Sequence, residues 1–385
     1  MQFYDKANPC RCRLRRLARA SFRQTSPRLH TSCYNLAMET PLNIRFAQDG
    51  AGVDILDQTA LPSREIRRIV RTKEECWEAI ELLQVRGAPA IGIFAAFSLA
   101  VLARTLPMET PQAFQGAFDA LADYLESSRP TAVNLHWACK RMKAFARDAV
   151  SCAAPNWDGS RELLLSQLRG EAQRIQDQDV VACKFMAVRA LSRIRDNAGI
   201  ITHCNAGPLA TSCYGTALGP LILGAEQGMK FRVYVDETRP LLQGARLTAY
   251  ELQRAGIDTT LICDNMASSV MTQGLVDACF VGADRVAANG DVANKIGTSQ
   301  LAIVAAHYGI PFYVVCPTST IDRTCATGDD IPIEQRCPEE VTEMHYAQRM
   351  APEGIKVLNP AFDVTSRELI TAIITEHGVC NPSRL

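Results

Sequence analysis

Cys204 stands at a position that suits a reactive thiol. It ends the short apolar run Gly199–Cys204, and Gly207 supplies a turn soon afterwards. A thiol at such a junction can be exposed, and the amides of a helix that begins just beyond it lower its pKa. A packed, unreactive thiol fits the same pattern, so both interpretations stay open on position alone.

Asp284 is a second candidate for chemistry. It follows the apolar residues Cys279–Val281 after the step Gly282-Ala283. Because burial disfavours a negative charge, this carboxyl group can be desolvated and held protonated at neutral pH. An aspartate that caps a helix or pairs with a cation fits equally well. Neighbouring side chains on a strand point to opposite faces, so a pair with Arg285 is not required.

A group of polar side chains follows the run Phe231–Asp236. Its members are Asp236, Glu237, Arg239 and Gln243. They are too many for solvation alone at the end of a strand. Arg239 paired with one of the two acidic residues is one interpretation, and Gln243 in contact with a polyol is the other.

Three segments carry a basic residue beside a helix start, where backbone amides already attract anions. Lys295 stands in Asn294–Thr298, which we expect to open a helix. Arg86 and Arg129 stand beside turn-forming residues ahead of apolar helices. A guanidinium group there can clamp a phosphate bidentately. Ordinary charges at helix starts are the alternative for both arginines.

Two nucleotide-binding patterns are absent from the sequence. The segment around Lys295 lacks the first glycine and the Gly-Lys step of the G-x-x-x-x-G-K-[ST] loop. The turn after Gly199–Cys204 lacks the G-x-G-x-x-G pattern of dinucleotide-binding proteins. Nicotinamide chemistry therefore loses its main support.

The elements that must position these residues are short apolar runs separated by helix-length segments. The runs are Gly199–Cys204, Phe231–Asp236, Thr259–Cys263, Ala278–Gly282 and Phe312–Cys316. Runs of this length, rich in Val, Ile and aromatic residues, are typical of fully buried parallel strands. Strands that alternate with helices predict an α/β fold with a doubly wound parallel sheet, and ligands bind beyond the carboxyl ends of its strands.

The preceding part of the chain has a mostly helical pattern from Pro62 to Arg195. Short alternating pieces near Asn43–Phe46 and Val53–Leu56 predict a small sheet ahead of the helices. The longest apolar run, Ala88–Ala103, has 16 residues and is shorter than the roughly 20 that span a bilayer. We therefore expect a buried helix there and no membrane association.

Length and composition limit the remaining possibilities. The chain has 385 residues, of which 47% are hydrophobic, and 41 basic residues balance 41 acidic ones. This balance provides no general basic field for nucleic acids. At roughly 150 residues per domain we expect two domains. We divide the chain into a flexible basic tail at 1–38, a mainly helical N-terminal domain at 39–175 and a domain with the parallel sheet at 176–385.

The metal-binding residue types show no metal-site spacing. Fifteen cysteines include no C-x-x-C pair, and six scattered histidines include no H-x-x-x-H pair. We therefore expect reduced core thiols in an intracellular protein and no metal.

Both ends of the chain bear on its location. Residues 1–37 carry seven arginines and one lysine against one aspartate, which fits a mitochondrial transit peptide or a disordered extension ahead of Met38. Ser383-Arg384-Leu385 is one conservative change from a peroxisomal signal. We expect a location in the cytoplasm and also the nucleus, with mitochondria and peroxisomes as alternatives.

Several motifs in order resemble the family of methylthioribose-1-phosphate isomerases, which is related to the regulatory subunits of the translation-initiation guanine-nucleotide exchange factor. The resemblance covers residues 40–380. Its motifs are Arg86–Gly92, Ser128–Leu135, His203–Thr211, Asp236–Thr248, Gly282–Arg285, Asn294–Thr298, Ile310–Asp322, Gly328–Glu334 and Asn359–Ile374.

The resemblance implies a helical N-terminal domain on a Rossmann-like catalytic domain, and a homodimer. It also implies a cofactor-free conversion of a sugar phosphate, 5-methylthioribose 1-phosphate, to 5-methylthioribulose 1-phosphate in methionine salvage. It gives the catalytic roles to Cys204 and Asp284. It gives substrate binding to Arg86, Gly87, Ala88, Arg129, Gln243, Asn294 and Lys295. His136 departs from the family pattern, where a bulky apolar or aromatic residue is usual, and leaves the packing near Arg129 open.

The implied chemistry requires an acid, because phosphate on the anomeric oxygen prevents ring opening through a free aldehyde. A neutral Asp284 suits protonation of the ring oxygen. Cys204 then either moves a proton between C2 and C1 or stabilises charge during a hydride shift. Two other functions remain: a noncatalytic regulatory subunit, which need not keep both residues, and a ribose-1,5-bisphosphate isomerase.

Overall fold

A computed structural model of the chain describes residues 43–154 and 157–385, so the predicted tail at 1–38 lies outside the described part. The described chain begins with an antiparallel sheet of three strands, β1 (Ile44–Phe46), β2 (Val53–Leu56) and β3 (Arg67–Val70). The first two strands confirm the small sheet expected ahead of the helices.

Five α-helices follow this sheet in the part of the chain that the structure describes. They are α1 (Lys73–Glu81), α2 (Ala88–Leu102), α3 (Pro111–Glu126), α4 (Val133–Ala153) and α5 (Trp157–Leu191). Local signals explain where two of them begin. Thr72 and Glu75 form a capping box at the start of α1, and the Thr110 hydroxyl accepts a hydrogen bond from a first-turn amide of α3.

Helix α2 lies in the core of this helical part, against α4 and α5. The stretch Ala88–Thr105 is long and apolar enough to cross a membrane by length and composition alone, and 78% of it is buried within the protein. Packing against neighbouring helices accounts for the apolar sequence, because a helix that is apolar all round must be covered on all sides.

Helix α5 contributes to two hydrophobic cores. Leu164, Leu168 and Ile175 pack with the helical part of the chain, whereas Cys183 and Met186 pack against the large sheet. The predicted division between residues 175 and 176 thus falls inside one continuous helix, at the point where its packing partners change.

The large sheet has seven strands in the order β14-β13-β10-β7-β4-β5-β6, and all pairs are parallel except that of β14. Its strands are β4 (Ala198–Thr202), β5 (Phe231–Asp236), β6 (Asp258–Ile262), β7 (Ala278–Val281), β10 (Phe312–Val315), β13 (Ala372–Ile374) and β14 (Val379–Cys380). All five predicted runs are strands within two residues at each end. The chain therefore has a mixed α/β fold with a mainly parallel sheet.

Helices connect these strands. They are α6 (Gly219–Glu226), α7 (Ala249–Arg254), α8 (Ala267–Thr272), α9 (Thr298–His307) and α10 (Glu339–Thr342), and a π-helical turn at Gly244–Thr248 leads directly into α7. After β4 the chain adds β5 and β6 on one side and then returns to place β7 on the other side of β4. The strand order therefore reverses next to β4, which is where open parallel sheets bind ligands.

A second sheet of four strands was not predicted. It has the order β11-β8-β9-β12, with β8 (Arg285–Ala287), β9 (Val292–Lys295), β11 (Ile321–Asp322) and β12 (Phe362–Thr365). The expectation that Asn294–Thr298 opens a helix is wrong for its first residues. Asn294 and Lys295 end β9, where pairing with β12 buries them, and α9 begins only at Thr298.

Candidate active site

A pocket of about 760 Å³, its mouth included, lies where the carboxyl ends of β4 and β7 meet the start of α2. All nine residues predicted for the site line this one pocket. They are Cys204, Asp284, Arg86, Gly87, Ala88, Arg129, Gln243, Asn294 and Lys295. The fold thus brings together residues that are more than 200 positions apart in the sequence, while their roles stay predictions.

Cys204 follows β4 in a left-handed backbone conformation, with φ 61°. Such a conformation costs a non-glycine residue about 1–3 kcal/mol and must be held by its surroundings. Here the Cys204 N–H donates to the Thr238 hydroxyl at 2.8 Å, and the Cys204 carbonyl accepts from the Thr248 hydroxyl at 2.6 Å. Two side chains from the β5–α7 connection therefore fix the thiol position.

The expectation of a lowered thiol pKa is wrong. A short 3-10 turn at Pro208–Ala210 follows Cys204, and the next helix, α6, begins only at Gly219. Burial raises the pKa of the Cys204 thiol, and the charges of Lys295 and Arg86 oppose this rise. The resting group is therefore a neutral thiol at neutral pH.

Asp284 lies two residues beyond Gly282, in the segment that follows β7, and lines the pocket. Burial raises its pKa, and the charges of Lys295, Arg129 and Arg86 oppose the rise. The predicted direction is confirmed. Asp284 does not pair with the adjacent Arg285, which lies 3.6 Å from Asp322 instead.

Arg86 reaches the pocket from the helical part of the chain. It is 7% exposed, and its Nη2 donates to the backbone oxygen and the Oδ1 of Asn205 at 3.1 and 2.7 Å. Gly87 has φ 97°, and a Cβ there would lie 2.5 Å from the Cα of Ala210. Only glycine permits this close approach, which seats Ala88 and the start of α2 against the turn after β4.

Arg129, in the turn between α3 and α4, contacts the other part of the chain through Glu334. Its Nη2 lies 3.3 Å from Glu334 Oε2, and the same carboxylate accepts from Arg336 Nη1 at 2.8 Å. Arg336 also lines the pocket, and sequence reasoning missed it because no motif marks its loop. His136 is exposed on α4, where it bonds Glu126, so its departure from the family pattern leaves the pocket wall intact.

Lys295 is the basic residue at the floor of the pocket, at the end of β9. It is 8% exposed, its Nζ lies 4.8 Å from the centre of the Phe362 ring, and burial lowers its pKa. The adjacent Asn294 donates to the Thr298 hydroxyl at 3.1 Å. A lysine that is buried among other cations creates a strong preference for an anion.

Three buried polar atoms around the pocket have no hydrogen-bond partner among the described residues. They are Arg86 Nε, Arg129 Nε and Gln243 Oε1. Buried polar groups are seldom left unpaired, so these atoms indicate where a polar ligand is received. Two cationic donors and one amide acceptor suit a phosphorylated sugar, and the Leu83, Pro89 and Leu241 side chains add an apolar part to the wall.

His203 and Asp236 form a buried pair that sequence reasoning did not identify. His203 Nδ1 lies 2.9 Å from Asp236 Oδ2, and its Nε2 lies 2.8 Å from the Ile296 carbonyl oxygen. Burial lowers the pKa of His203, but the bond to Asp236, the charges of Asp236 and Asp264 and the Ile296 carbonyl together raise it overall. The interpretation that Arg239 pairs with Asp236 or Glu237 is wrong, since its guanidinium donates to backbone oxygens.

One group of side chains in the described part of the chain could hold a metal ion. His203, Asp236 and Asp264 place their donor atoms within 4.8 Å of one another. Both nitrogens of His203 already have partners, and Asp264 accepts from the amides of Thr238 and Arg239, each at 2.7 Å. A metal would have to displace these bonds, so the group fits a structural network better than a metal site.

Comparisons with known proteins show which family the chain resembles in sequence and structure. The model of the "Initiation factor 2 subunit family" matches residues 84–382. A methylthioribose-1-phosphate isomerase of Symbiobacterium thermophilum is 57% identical over 333 residues, 86% of this chain and 91% of the relative. A 5-deoxyribose 1-phosphate isomerase of Petrotoga mobilis is 52% identical over 326 residues, 84% and 91% of the two chains. The solved structure of 5-methylthioribose 1-phosphate isomerase from Pyrococcus horikoshii OT3 has a TM-score of 0.80 and 40% identity, covering 94% of this chain and 96% of that one.

Proposed function

The chain belongs to the initiation factor 2 subunit family, and we propose that it is an isomerase that converts 5-methylthioribose 1-phosphate to 5-methylthioribulose 1-phosphate in methionine salvage. The observation that carries this conclusion is the pocket that Cys204 and Asp284 line together with buried cations. A noncatalytic regulatory subunit has no need of such a pocket.

Asp284 acts first in the proposed reaction. The substrate carries phosphate on its anomeric oxygen, so its ring opens when an acid protonates the ring oxygen. The raised pKa of Asp284 supports this role, because it favours the protonated form. The nearby cations Lys295 and Arg129 stabilise the carboxylate that remains after the proton has been given up.

Cys204 completes the isomerisation by one of two routes. It transfers a proton between C2 and C1 through an enediol-type intermediate, or it stabilises charge while a hydride shifts from C2 to C1. The neutral resting thiol can donate a hydrogen bond to the developing charge in the hydride route. In the proton-transfer route it first gives its proton to the Asp284 carboxylate left by ring opening, takes the C2 proton as a thiolate and returns that proton to C1.

The phosphate is held by Arg86, Arg129 and Lys295, with Asn294 beside them, and Gln243 binds a sugar hydroxyl. The unpartnered Arg86 Nε, Arg129 Nε and Gln243 Oε1 support these assignments. The proposed reaction needs no cofactor, because the acid and the thiol supply its proton transfers.

A two-domain arrangement accompanies this function, with a mainly helical domain at 39–175 and a Rossmann-like catalytic domain at 176–385. The change in packing partners along α5 supports it. We further propose a homodimer located in the cytoplasm, and sedimentation of the purified protein tests the oligomeric state.

Product formation by the purified protein tests the function. We expect turnover of 5-methylthioribose 1-phosphate to its ketose, followed by NMR, with a higher kcat/KM than for ribose 1,5-bisphosphate. The relative that is a 5-deoxyribose 1-phosphate isomerase favours that sugar phosphate as a second substrate, to be assayed alongside. Absence of turnover with all three compounds would contradict an isomerase function.

A further inference from the structure

Three buried side chains form a line of hydrogen bonds behind the pocket wall. Glu251, in α7, accepts from Asn205 Nδ2 at 2.5 Å, and Asn205 Oδ1 accepts from Arg86 Nη2 at 2.7 Å. The three residues are 4%, 6% and 7% exposed. The line therefore runs from a buried carboxylate to a guanidinium group that faces the pocket.

The direction of each bond is fixed by Glu251. Its Oε1 accepts from the Leu209 N–H at 2.6 Å, and its Oε2 accepts from the Asn205 amide nitrogen. Because the nitrogen of Asn205 faces Glu251, the oxygen must face Arg86. A reversed amide would place an NH2 group against the guanidinium.

The surroundings leave room for this carboxylate and connect it to Cys204. A Cβ at Gly207 would lie 2.3 Å from Glu251 Oε2, so the glycine makes space for the acid. The Asn205 amide also donates to the Thr248 hydroxyl at 3.1 Å, and that hydroxyl donates to the Cys204 carbonyl. Thr248 ends the π-helical turn ahead of α7, a feature frequent at functional sites.

We propose that Glu251 is a positioning residue, which orients Asn205 so that Arg86 presents its guanidinium to the anionic group of the substrate. The inference rests on the proposed function. Arg86 Nε, buried without a partner, is the donor that this orientation leaves for the phosphate.

Titration of Glu251 gives the proposal a pH dependence. Burial raises the pKa of Glu251 to about 7, although the bonds from Leu209 and Asn205 and the charge of Arg86 oppose the rise. Arg86 is the charged side chain that faces it, and Asn205 and Thr248 add polar groups. When Glu251 is protonated, one of its two oxygens carries a hydrogen and becomes a poor acceptor, while the Leu209 N–H and the Asn205 amide both still need an acceptor. KM therefore rises as the pH falls through about 7, and the rise is smaller in E251Q.

Exchange of the acid and the amide is the decisive experiment. In E251Q one oxygen becomes an NH2 group that must face another donor, so we expect KM to rise about tenfold, with a smaller change in kcat. N205D alone places the new carboxylate against that of Glu251, so its KM should also rise. In E251Q/N205D the amide introduced on α7 donates to the new carboxylate, which still accepts from Arg86, so KM should return to within a few-fold of the wild-type value.

The matched control is E65Q, because Glu65 is an exposed acid that bonds Tyr250 and Arg254 on the outside of α7. It should leave KM unchanged. A wild-type KM in E251Q, or a double variant no better than E251Q, overturns the proposal. If E251Q does not fold, the KM of E251Q/N205D alone tests the proposal, because the proposal requires that value to lie within a few-fold of the wild-type KM.

Binding of inorganic phosphate, measured by calorimetry on the same variants, separates this inference from the proposed function. If the wild-type protein turns over no sugar phosphate, the proposed function fails. Weaker phosphate binding in E251Q and recovery in the double variant would still support the positioning role. Equal phosphate binding in the wild type, E251Q and E251Q/N205D would overturn the positioning role of Glu251.

Discussion

Asp284 and Cys204 both have a raised pKa, and burial is the first cause for each. The cations that oppose burial, Lys295 and Arg86, are shared by the two groups. A bound phosphate would neutralise part of this positive charge. Substrate binding therefore raises both pKa values further and favours the protonated form of Asp284 for the step that needs an acid.

We expect Asp284→Asn to lower kcat by at least ~100-fold while KM changes little, because the amide keeps the shape but carries no acidic proton. The folded-state pKa is raised, so the wild type loses stability as the pH rises from the unfolded value through the folded one. The variant lacks this loss and should melt at the same or a higher temperature at neutral pH. Activity within a few-fold of the wild type would remove Asp284 from the mechanism.

Alkylation should identify Cys204 as the thiol required for activity. Because its pKa is raised, iodoacetamide should inactivate slowly at pH 7 and faster at alkaline pH, and substrate should protect. Cys204→Ser should be nearly inactive with an unchanged melting temperature. Among the cysteines of residues 43–154 and 157–385, Cys337 is exposed and should react before Cys204 without loss of activity, so C337S is the control background. Peptide mapping that finds the protected site at another cysteine would contradict the assignment.

Among the cysteines of the described residues, one departs from the expectation of reduced thiols. Eleven of those in the described part of the chain are free, but Cys152 is disulfide-bonded. The sequence shows spacing along the chain only, whereas a disulfide depends on distance in the folded structure.

Five of the seven strands of the large sheet could be predicted from sequence, because each is a short apolar run with a clear end, but the expectation of full burial is wrong for the edge strand β6, which is mostly exposed. The short strands β13 and β14 were not predicted. The position of the pocket followed from the five predicted strands, since Cys204 and Asp284 lie in the short segments that follow β4 and β7. The His203–Asp236 pair needed one further fact, the register of β4 beside β5. Thr202 lies opposite Val235, so the residues that follow each of them are neighbours.

The second sheet could not be predicted in the same way. Its strands have two to four residues, and β9 pairs with β12 about 70 positions away. Pairing at this distance decides the conformation of Asn294 and Lys295, and local propensity favours the wrong element. Both residues line the pocket nonetheless, because the Asp284 N–H donates to the Ala293 carbonyl at 3.0 Å and so holds β9 beside the segment that follows β7.

Substitution of Gly87 tests how closely the start of α2 packs against the turn after β4. Gly87→Ala puts a Cβ 2.5 Å from the Ala210 backbone at φ 97°, so we expect a loss of about 2 kcal/mol or more in unfolding free energy and a raised KM. Gly116, in the middle of α3, has nothing within 4 Å of its Cβ position, and Gly116→Ala should stabilise by about 0.5–1 kcal/mol. Denaturation curves compare the two. Equal effects would show that Gly87 has no special role.

At the scale of the whole molecule, the pocket joins two parts of the chain that have separate hydrophobic cores. Arg86 and Arg129 come from the helical part, whereas Lys295 and Arg336 come from the part with the sheets. The Arg129–Glu334 ion pair connects them directly. These like charges repel one another across the pocket, so an anion between them should stabilise the arrangement of both parts.

Inorganic phosphate should therefore raise the melting temperature of the protein by a few degrees. A ligand at 100 times its Kd stabilises the folded state by about 2.7 kcal/mol. Lys295→Ala removes the buried cation at the pocket floor, so its phosphate-dependent shift should largely disappear and KM should rise more than kcat falls. Because burial lowers the pKa of Lys295, the shift in the wild type should fade on the alkaline side before the ordinary lysine value near 10.4 is reached.

Lys356→Ala is the matched control, since Lys356 is an exposed lysine that does not line the pocket. Calorimetric melting scans of the three proteins, each with and without phosphate, separate the outcomes. A loss of the shift in Lys295→Ala alone places the phosphate at the pocket floor. An equal shift in all three proteins contradicts that placement, because surface charge would then account for the stabilisation. A shift absent even from the wild type contradicts the expectation that an anion in the pocket stabilises both parts of the chain.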